Sequence, residues 1–376
     1  MLPSASSTPR PVPRLDMIEN VASQKIAVVG AGIIGCSIAF ELARRGADVT
    51  VLEGRRIGGG ATQASAGILA PYTEAHGGGP LFDLTVRGLQ AYDAFVAAVR
   101  AVSDGRFEYH RSGTLEIAED DERAAVLHDR LAAPWAAAAG LRWLDAGELH
   151  ATAPSVNTAS VGALQCMAHG HVAVQAFLAA IADAARVLGA RIREGVHVDR
   201  VELGAREIRL HGSGHLDAYD RVILCTGAWT PGIDPLQESA DRIRPIRGQL
   251  VKLAASGAVV PSVLWGRSCY IVPWTDGTLL VGATEEDVGF DERATVEGVR
   301  GLMDAAEALV PGLGSATFVE VRVGLRPKSA DGVPILGPGS DPRVIYAAGH
   351  HRNGILLAPL TAQLIADQIE RGLTPI

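Results

Sequence analysis

Lys25 to Glu53 reads KIAVVGAGIIGCSIAFELARRGADVTVLE, and each of its parts has one job in holding a dinucleotide. Ile26 to Val29 predict a buried strand, and Gly30, Gly32 and Gly35 supply G-x-G-x-x-G spacing between that strand and a helix. Gly30 permits the tight turn, Gly32 lets the backbone approach a pyrophosphate, and Gly35 lets the helix pack close against the strand. Ile34 lies in the first turn of that helix, where unpaired N–H groups and the helix dipole favour phosphate. A second apolar strand, Val49 to Leu52, ends in Glu53, placed to accept hydrogen bonds from ribose hydroxyls. An acid there disfavours a 2′-phosphate. An ordinary strand-turn-helix with no ligand would leave Glu53 unexplained.

The rest of the composition frames this unit. The chain has 376 residues, 48% hydrophobic and 20% charged, which reads as a soluble globular protein of about two domains. A net charge of -8 leaves no basic footprint for nucleic acid, and no apolar run approaches the roughly 20 residues of a membrane span. Cys36, Cys166, Cys225 and Cys269 are scattered without C-x-x-C pairs, so reduced thiols in a cytoplasmic enzyme are expected rather than zinc or disulfides. Residues 1–23 are rich in Ser and Pro with no apolar signal core; they read as a disordered extension or an upstream start with Met17 as the natural one. Asp16 and Glu19 count against a transit peptide.

Beyond Glu53 the glycine-rich RRIGGGATQASAGILAP presents backbone N–H groups beside the first βα unit and reads as an ordered loop able to touch a cofactor. Helices are predicted over Leu81 to Val102, Ala125 to Ala139 (broken or kinked at Pro134), Val174 to Leu188 and Arg293 to Leu309. Hairpins are predicted over Phe107 to Ala118, turning at Ser112-Gly113, and over His197 to Leu210. Strand Arg221 to Leu224 runs into CTGAWT, and Arg244 to Thr284 alternates as antiparallel strands. The chain therefore leaves a nucleotide-binding domain and re-enters it. A last helix beginning near Asn353 and Gly354, after AGHHR, would turn its positive dipole end toward whatever lies before it.

VVGAGIIG with VLE, ATQASAGILAP, TGAW, GLRP followed by DGVPILG, and above all GHHRNGILLAP together resemble the D-amino-acid oxidase superfamily. The pattern is closest to its glycine oxidase branch, used in thiamine biosynthesis, and covers Lys25 to about Ile369. The resemblance implies an α/β (α+β overall) fold: a Rossmann-like FAD-binding domain from 24–88, 151–238 and 323–376, and a second antiparallel β-sheet substrate domain from 89–150 and 239–322. It implies noncovalent FAD held by Gly30, Gly32, Ile34, Gly35 and Glu53, by the loop residues Thr62, Ala66, Gly67 and Ile68, and by Val198, Gly227 and Trp229. Arg352, Asn353, Gly354 and Ile355 match the segment closing over the flavin. Arg326 and Tyr270, with Arg352 beside them, match the substrate-binding positions. A guanidinium fork meets a carboxylate with two charge-assisted hydrogen bonds, and a phenol adds a third. Taken by itself, Tyr270 reads better as a cross-strand packing aromatic.

The implied reaction is oxidative deamination of glycine or another small amine (sarcosine, D-alanine, D-proline) by hydride transfer to flavin. No side-chain base is required, and oxygen is reduced to hydrogen peroxide. A dehydrogenase passing electrons to a quinone or partner protein is the alternative, and a noncatalytic flavoprotein is a third. The resemblance also implies a homotetramer. Two positions depart from the pattern: His351 stands where an aromatic or apolar residue is expected, and His171 lacks a following proline. Cys269 beside Tyr270 raises covalent flavin attachment, as in sarcosine oxidases, but strand neighbours point to opposite faces.

Overall fold

The computed structural model describes residues 24–371 except 75–77, 214–216, 256 and 258–259; the predicted extension 1–23 lies outside the described residues. Two large sheets organise the chain. The first has six strands in the order Ile335–Pro338, Val344–Ala348, Arg221–Leu224, Lys25–Val29, Asp48–Glu53 and Arg191–Glu194. All pair parallel except Ile335–Pro338. A parallel sheet covered on both faces needs strands that are apolar throughout, and Ile26, Ala27, Val28 and Val29 are all buried.

Helix Ile33–Arg44 leaves this sheet at the glycine turn and is buried from Ile33 to Ala43, because Val174–Val187 and Gly354–Arg371 both pack on it. Arg45 locks its end, donating to Asp367 and Glu370 at 2.7 Å each. Helix Pro80–Arg100 buries Leu84, Leu89, Tyr92, Phe95 and Val99, at helical spacing, against the last helix. Tyr92, fully buried, donates its hydroxyl to the Ile355 carbonyl at 3.1 Å and so fixes where that helix begins.

The second sheet has eight strands in the order Thr317–Ser329, Ile243–Ala254, Thr278–Gly282, Tyr270–Pro273, Val263–Trp265, Thr114–Ala118, Gly162–Cys166 and Leu141–Asp145. Its neighbours are antiparallel but for Val263–Trp265 on Thr114–Ala118. Helix Val296–Leu309 covers one face, burying Leu302, Ala306 and Leu309 against Val251, Leu253, Ile271 and Val281. Two three-stranded sheets complete the fold: Val198–Leu203 with Ile208–Gly212 and Ala218–Tyr219, the predicted hairpin with a short third strand, and Ile68–Leu69 with Gly170–Val172 and Tyr109–His110.

Two expectations are corrected. Phe107 to Ala118 does not form a hairpin: Tyr109–His110 pairs with Gly170–Val172, whereas Thr114–Ala118 pairs with Gly162–Cys166 in the other sheet. Gly113, at φ +76°, is a crossover between sheets, since alternation identifies a strand and says nothing of its partner. The helix expected over Ala125 to Ala139 is instead Asp121–Asp129, started by Asp120 accepting from the Arg123 N–H at 2.8 Å. It ends before Pro134, which lacks an N–H and disfavours helix at the residue before it.

Candidate active site

The carboxyl ends of strands Lys25–Val29, Asp48–Glu53 and Arg221–Leu224 open into a cavity of about 520 Å³ that reaches the eight-stranded sheet. That size is ordinary for a small-molecule site, and the strand ends of a parallel sheet are where such sites form. At one end lie Gly30, Gly32, Ile34 and Glu53. Gly30 has φ +104°, and a Cβ there would stand 2.5 Å from the Cys225 carbonyl oxygen. A Cβ on Gly35 would fall 1.9 Å from the Gly30 carbonyl oxygen, so this glycine serves the packing of helix on turn and does not itself line the cavity. Glu53 is fixed by the N–H groups of Ala31 and Arg55, 2.8 Å from each.

The loop after Glu53 is ordered by specific contacts. Thr62, buried, accepts from the Ile33 N–H at 3.1 Å, capping the helix whose N-cap, Gly32, has no side chain to do so. Ala66, Gly67 and Ile68 also line the cavity; Gly67 has φ +77°, and a Cβ there would lie 1.9 Å from the Val172 carbonyl oxygen. Val198, Gly227 and Trp229 border the same space, with the Arg55 guanidinium 4.6 Å from the Trp229 ring centre. Arg352, Gly354 and Ile355 line it as well. Asn353 is brought close but buried, donating its N–H to the His350 carbonyl, and is not among the lining residues.

At the other end stand Arg326 and Tyr270, on strands of the eight-stranded sheet. Two glycines unremarked in the sequence make room for them. Gly248 lies beneath the Arg326 guanidinium, and Gly282, directly opposite Tyr270 in the ladder, lies beneath its ring. One nitrogen of Arg326 donates to the Thr284 carbonyl at 2.9 Å, which fixes the fork and leaves its other donors for a ligand. The mouth carries Glu285, whose carboxylate accepts from Arg352 at 2.7 Å and Lys328 at 3.4 Å. Exposed at the cavity mouth, Glu285 is held below the usual carboxylate range by Arg352 and His351, which outweigh the opposing effect of its partial desolvation.

His351, at φ +48°, lines the mouth with its Nε2 3.6 Å from Glu285. Burial pushes its pKa down to about 4, so it is neutral at neutral pH and no proton donor of note. His171 is buried on strand Gly170–Val172, away from the cavity lining, and is a structural residue. Cys269 borders the cavity yet packs with Leu115, Ile271 and Val281, and burial pushes its thiol up to about 12. A protonated thiol is a poor nucleophile, which argues against a covalent flavin bond there.

The family model described as "FAD dependent oxidoreductase" (DAO) matches residues 25–368. The chain belongs to this family. It is an FAD-dependent amino-acid or amine oxidase, with 31% identity over 345 residues to glycine oxidase of Bacillus licheniformis, covering 91% of this chain and 92% of that one. It is 32% identical to the bifunctional protein ThiO/ThiG of a Nostoc species over 92% of this chain and 53% of that protein. The crystal structure of glycine oxidase from Geobacillus kaustophilus superposes with a TM-score of 0.87 at 31% identity, covering 94% of this chain and 96% of that one. The cavity fits the family's cofactor on its own terms: a helix N-terminus and a strand-end acid at one end, glycine-rich backbone along the wall, and the start of a second helix opposite. Among the described residues no cluster of His, Cys, Asp and Glu could hold a metal, and no helix is long and apolar enough to cross a membrane.

Proposed function

We propose that the chain oxidises glycine and similarly small amines, among them sarcosine, D-alanine and D-proline, with oxygen as electron acceptor. The observation that carries this reading is the Arg326 fork, laid over Gly248 and tied to Thr284, in one cavity with Tyr270 and the dinucleotide-type helix N-terminus. Gly30, Gly32, Ile34 and Glu53 would hold the ADP half of noncovalent FAD; Thr62, Ala66, Gly67, Ile68, Arg352, Gly354 and Ile355 would surround its flavin half, with Asn353 supporting them from behind. Bound FAD supplies the hydride acceptor.

The protein's part is to bind and aim. Arg326 and Tyr270 take the substrate carboxylate, so the rest of a small amino acid is turned to the cavity interior. No lining side chain is needed as a base if the amine enters unprotonated, in keeping with His351 and His350 both kept neutral by burial. The product imine hydrolyses or feeds thiazole formation in thiamine biosynthesis, a role in keeping with the ThiO/ThiG relative. A cytoplasmic homotetramer completes the reading.

Oxygen consumption tests the acceptor. With glycine and purified holoenzyme, one peroxide per oxygen consumed supports an oxidase. Turnover seen only with a soluble quinone, without peroxide, would favour the dehydrogenase.

A further inference from the structure

Residues Thr284 to Glu286 extend the ladder beyond Gly282, with Arg247 and Glu286 exchanging backbone hydrogen bonds at 2.8 and 2.9 Å. Side chains alternate on this stretch. Glu285 faces the cavity mouth, whereas Glu286 turns to a polar cluster behind it. There Arg247, almost wholly buried, holds Glu286 at 2.5 Å and Asp291 at 3.0 Å. The other Glu286 oxygen accepts from Gln249 Nε2 at 2.7 Å and from Thr284 Oγ1 at 2.6 Å. Thr284 Oγ1 in turn accepts from the Gln249 N–H at 2.9 Å. A Cβ on Gly298 would meet Gln249 Nε2 at 2.3 Å, so even the covering helix is shaped around this cluster.

The cluster meets substrate chemistry at one atom. The Thr284 carbonyl, whose residue the cluster clamps through its hydroxyl, is the acceptor that orients Arg326. We infer that Glu286 is a positioning residue, which sets the Arg326 fork through Thr284 and never touches substrate. The inference rests on the reading of Arg326 as the carboxylate anchor. Misaiming a bidentate donor by about 1 Å costs up to about a hundredfold in binding or rate.

The test uses FAD-loaded protein and acetate, a carboxylate with nothing to oxidise, titrated by its perturbation of the flavin visible spectrum. Glu286→Gln and Thr284→Val are each expected to weaken acetate about tenfold or more and to raise KM for glycine with kcat changed far less. Thr284→Ser, which keeps the hydroxyl, should restore wild-type affinity. In an Arg326→Ala background neither change should weaken acetate further, since the coupling runs through that arginine. Additive losses there, or loss of FAD and Tm with acetate affinity intact, would overturn the inference. If Arg326→Ala alone left acetate binding unchanged, the anchor reading itself would fall, a result distinct from failure of Glu286 alone.

Discussion

A methyl group on Gly248 would stand 2.4 Å from the carbon and both terminal nitrogens of the Arg326 guanidinium. Those atoms are the far end of a flexible side chain, so Gly248→Ala should fold, keep FAD and displace only the fork. We expect KM for glycine to rise about tenfold or more, with Tm within about 2 °C of wild type; an unchanged KM would mean that the fork does not bind substrate. At this scale the sequence was informative where chemistry and residue type coincide. Arg326 in GLRP and Glu53 after VL announce themselves as a carboxylate partner and a hydroxyl partner. Gly248 and Gly282 did not, because a glycine chosen for what lies over it carries no local signature outside a turn. Thr62 was legible as part of a loop, but its hydrogen bond to Ile33, 29 positions away, was not.

Among elements, the strand-turn-helix from Lys25 was readable because its signal is local: apolar run, glycine spacing, helical periodicity, all within thirty residues. The hairpin Val198–Leu203 with Ile208–Gly212 and helix Val174–Val187 were readable for the same reason. Partner choice was not. The strands Tyr109–His110 and Thr114–Ala118 are separated by a turn that looks like a hairpin's, yet enter different sheets, and only the competing edges of Gly170–Val172 and Gly162–Cys166 decide that. Glu285 and Glu286 are indistinguishable as a pair of adjacent acids. Pairing with Arg247 sends one to the cavity mouth and the other into a buried ion pair. The helix Asp121–Asp129 shows a different limit, since alanine-rich sequence past Pro134 has helical composition without a helical apolar stripe.

At the scale of the whole molecule, four histidines among the described residues are packed into the fold uncharged. Burial holds the pKa of His169 and His350 down to about 3, and of His171 and His351 to about 4, from an ordinary 6.5. In the unfolded chain they take up protons near pH 6.5, while in the folded protein they stay neutral. Stability is therefore full above about pH 6.5 and falls as pH drops toward 4, by up to roughly 1.4 kcal/mol per pH unit for each histidine. Hydrogen bonds hold Glu108, Asp234 and Glu286 below the usual carboxylate range, adding losses at still lower pH. The urea midpoint of the FAD-loaded protein should hold nearly level from pH 7.5 to about 6.5 and fall steadily from there to pH 5. A flat profile would show that these rings are hydrated, and not the neutral packing units described above.

The central claim, that Arg326 presents a small amino acid to FAD in this cavity, is tested most directly by the visible spectrum of the purified protein without oxygen as glycine is added. The account predicts a yellow protein bleached by millimolar glycine, its colour returning on admission of air. Arg326→Ala should be equally yellow and require about a hundredfold more glycine, the loss of two charge-assisted hydrogen bonds at roughly 1.5 kcal/mol each. A wild-type protein that none of glycine, sarcosine, D-alanine or D-proline bleaches, or an Arg326→Ala variant bleached at the same glycine concentration, would contradict it.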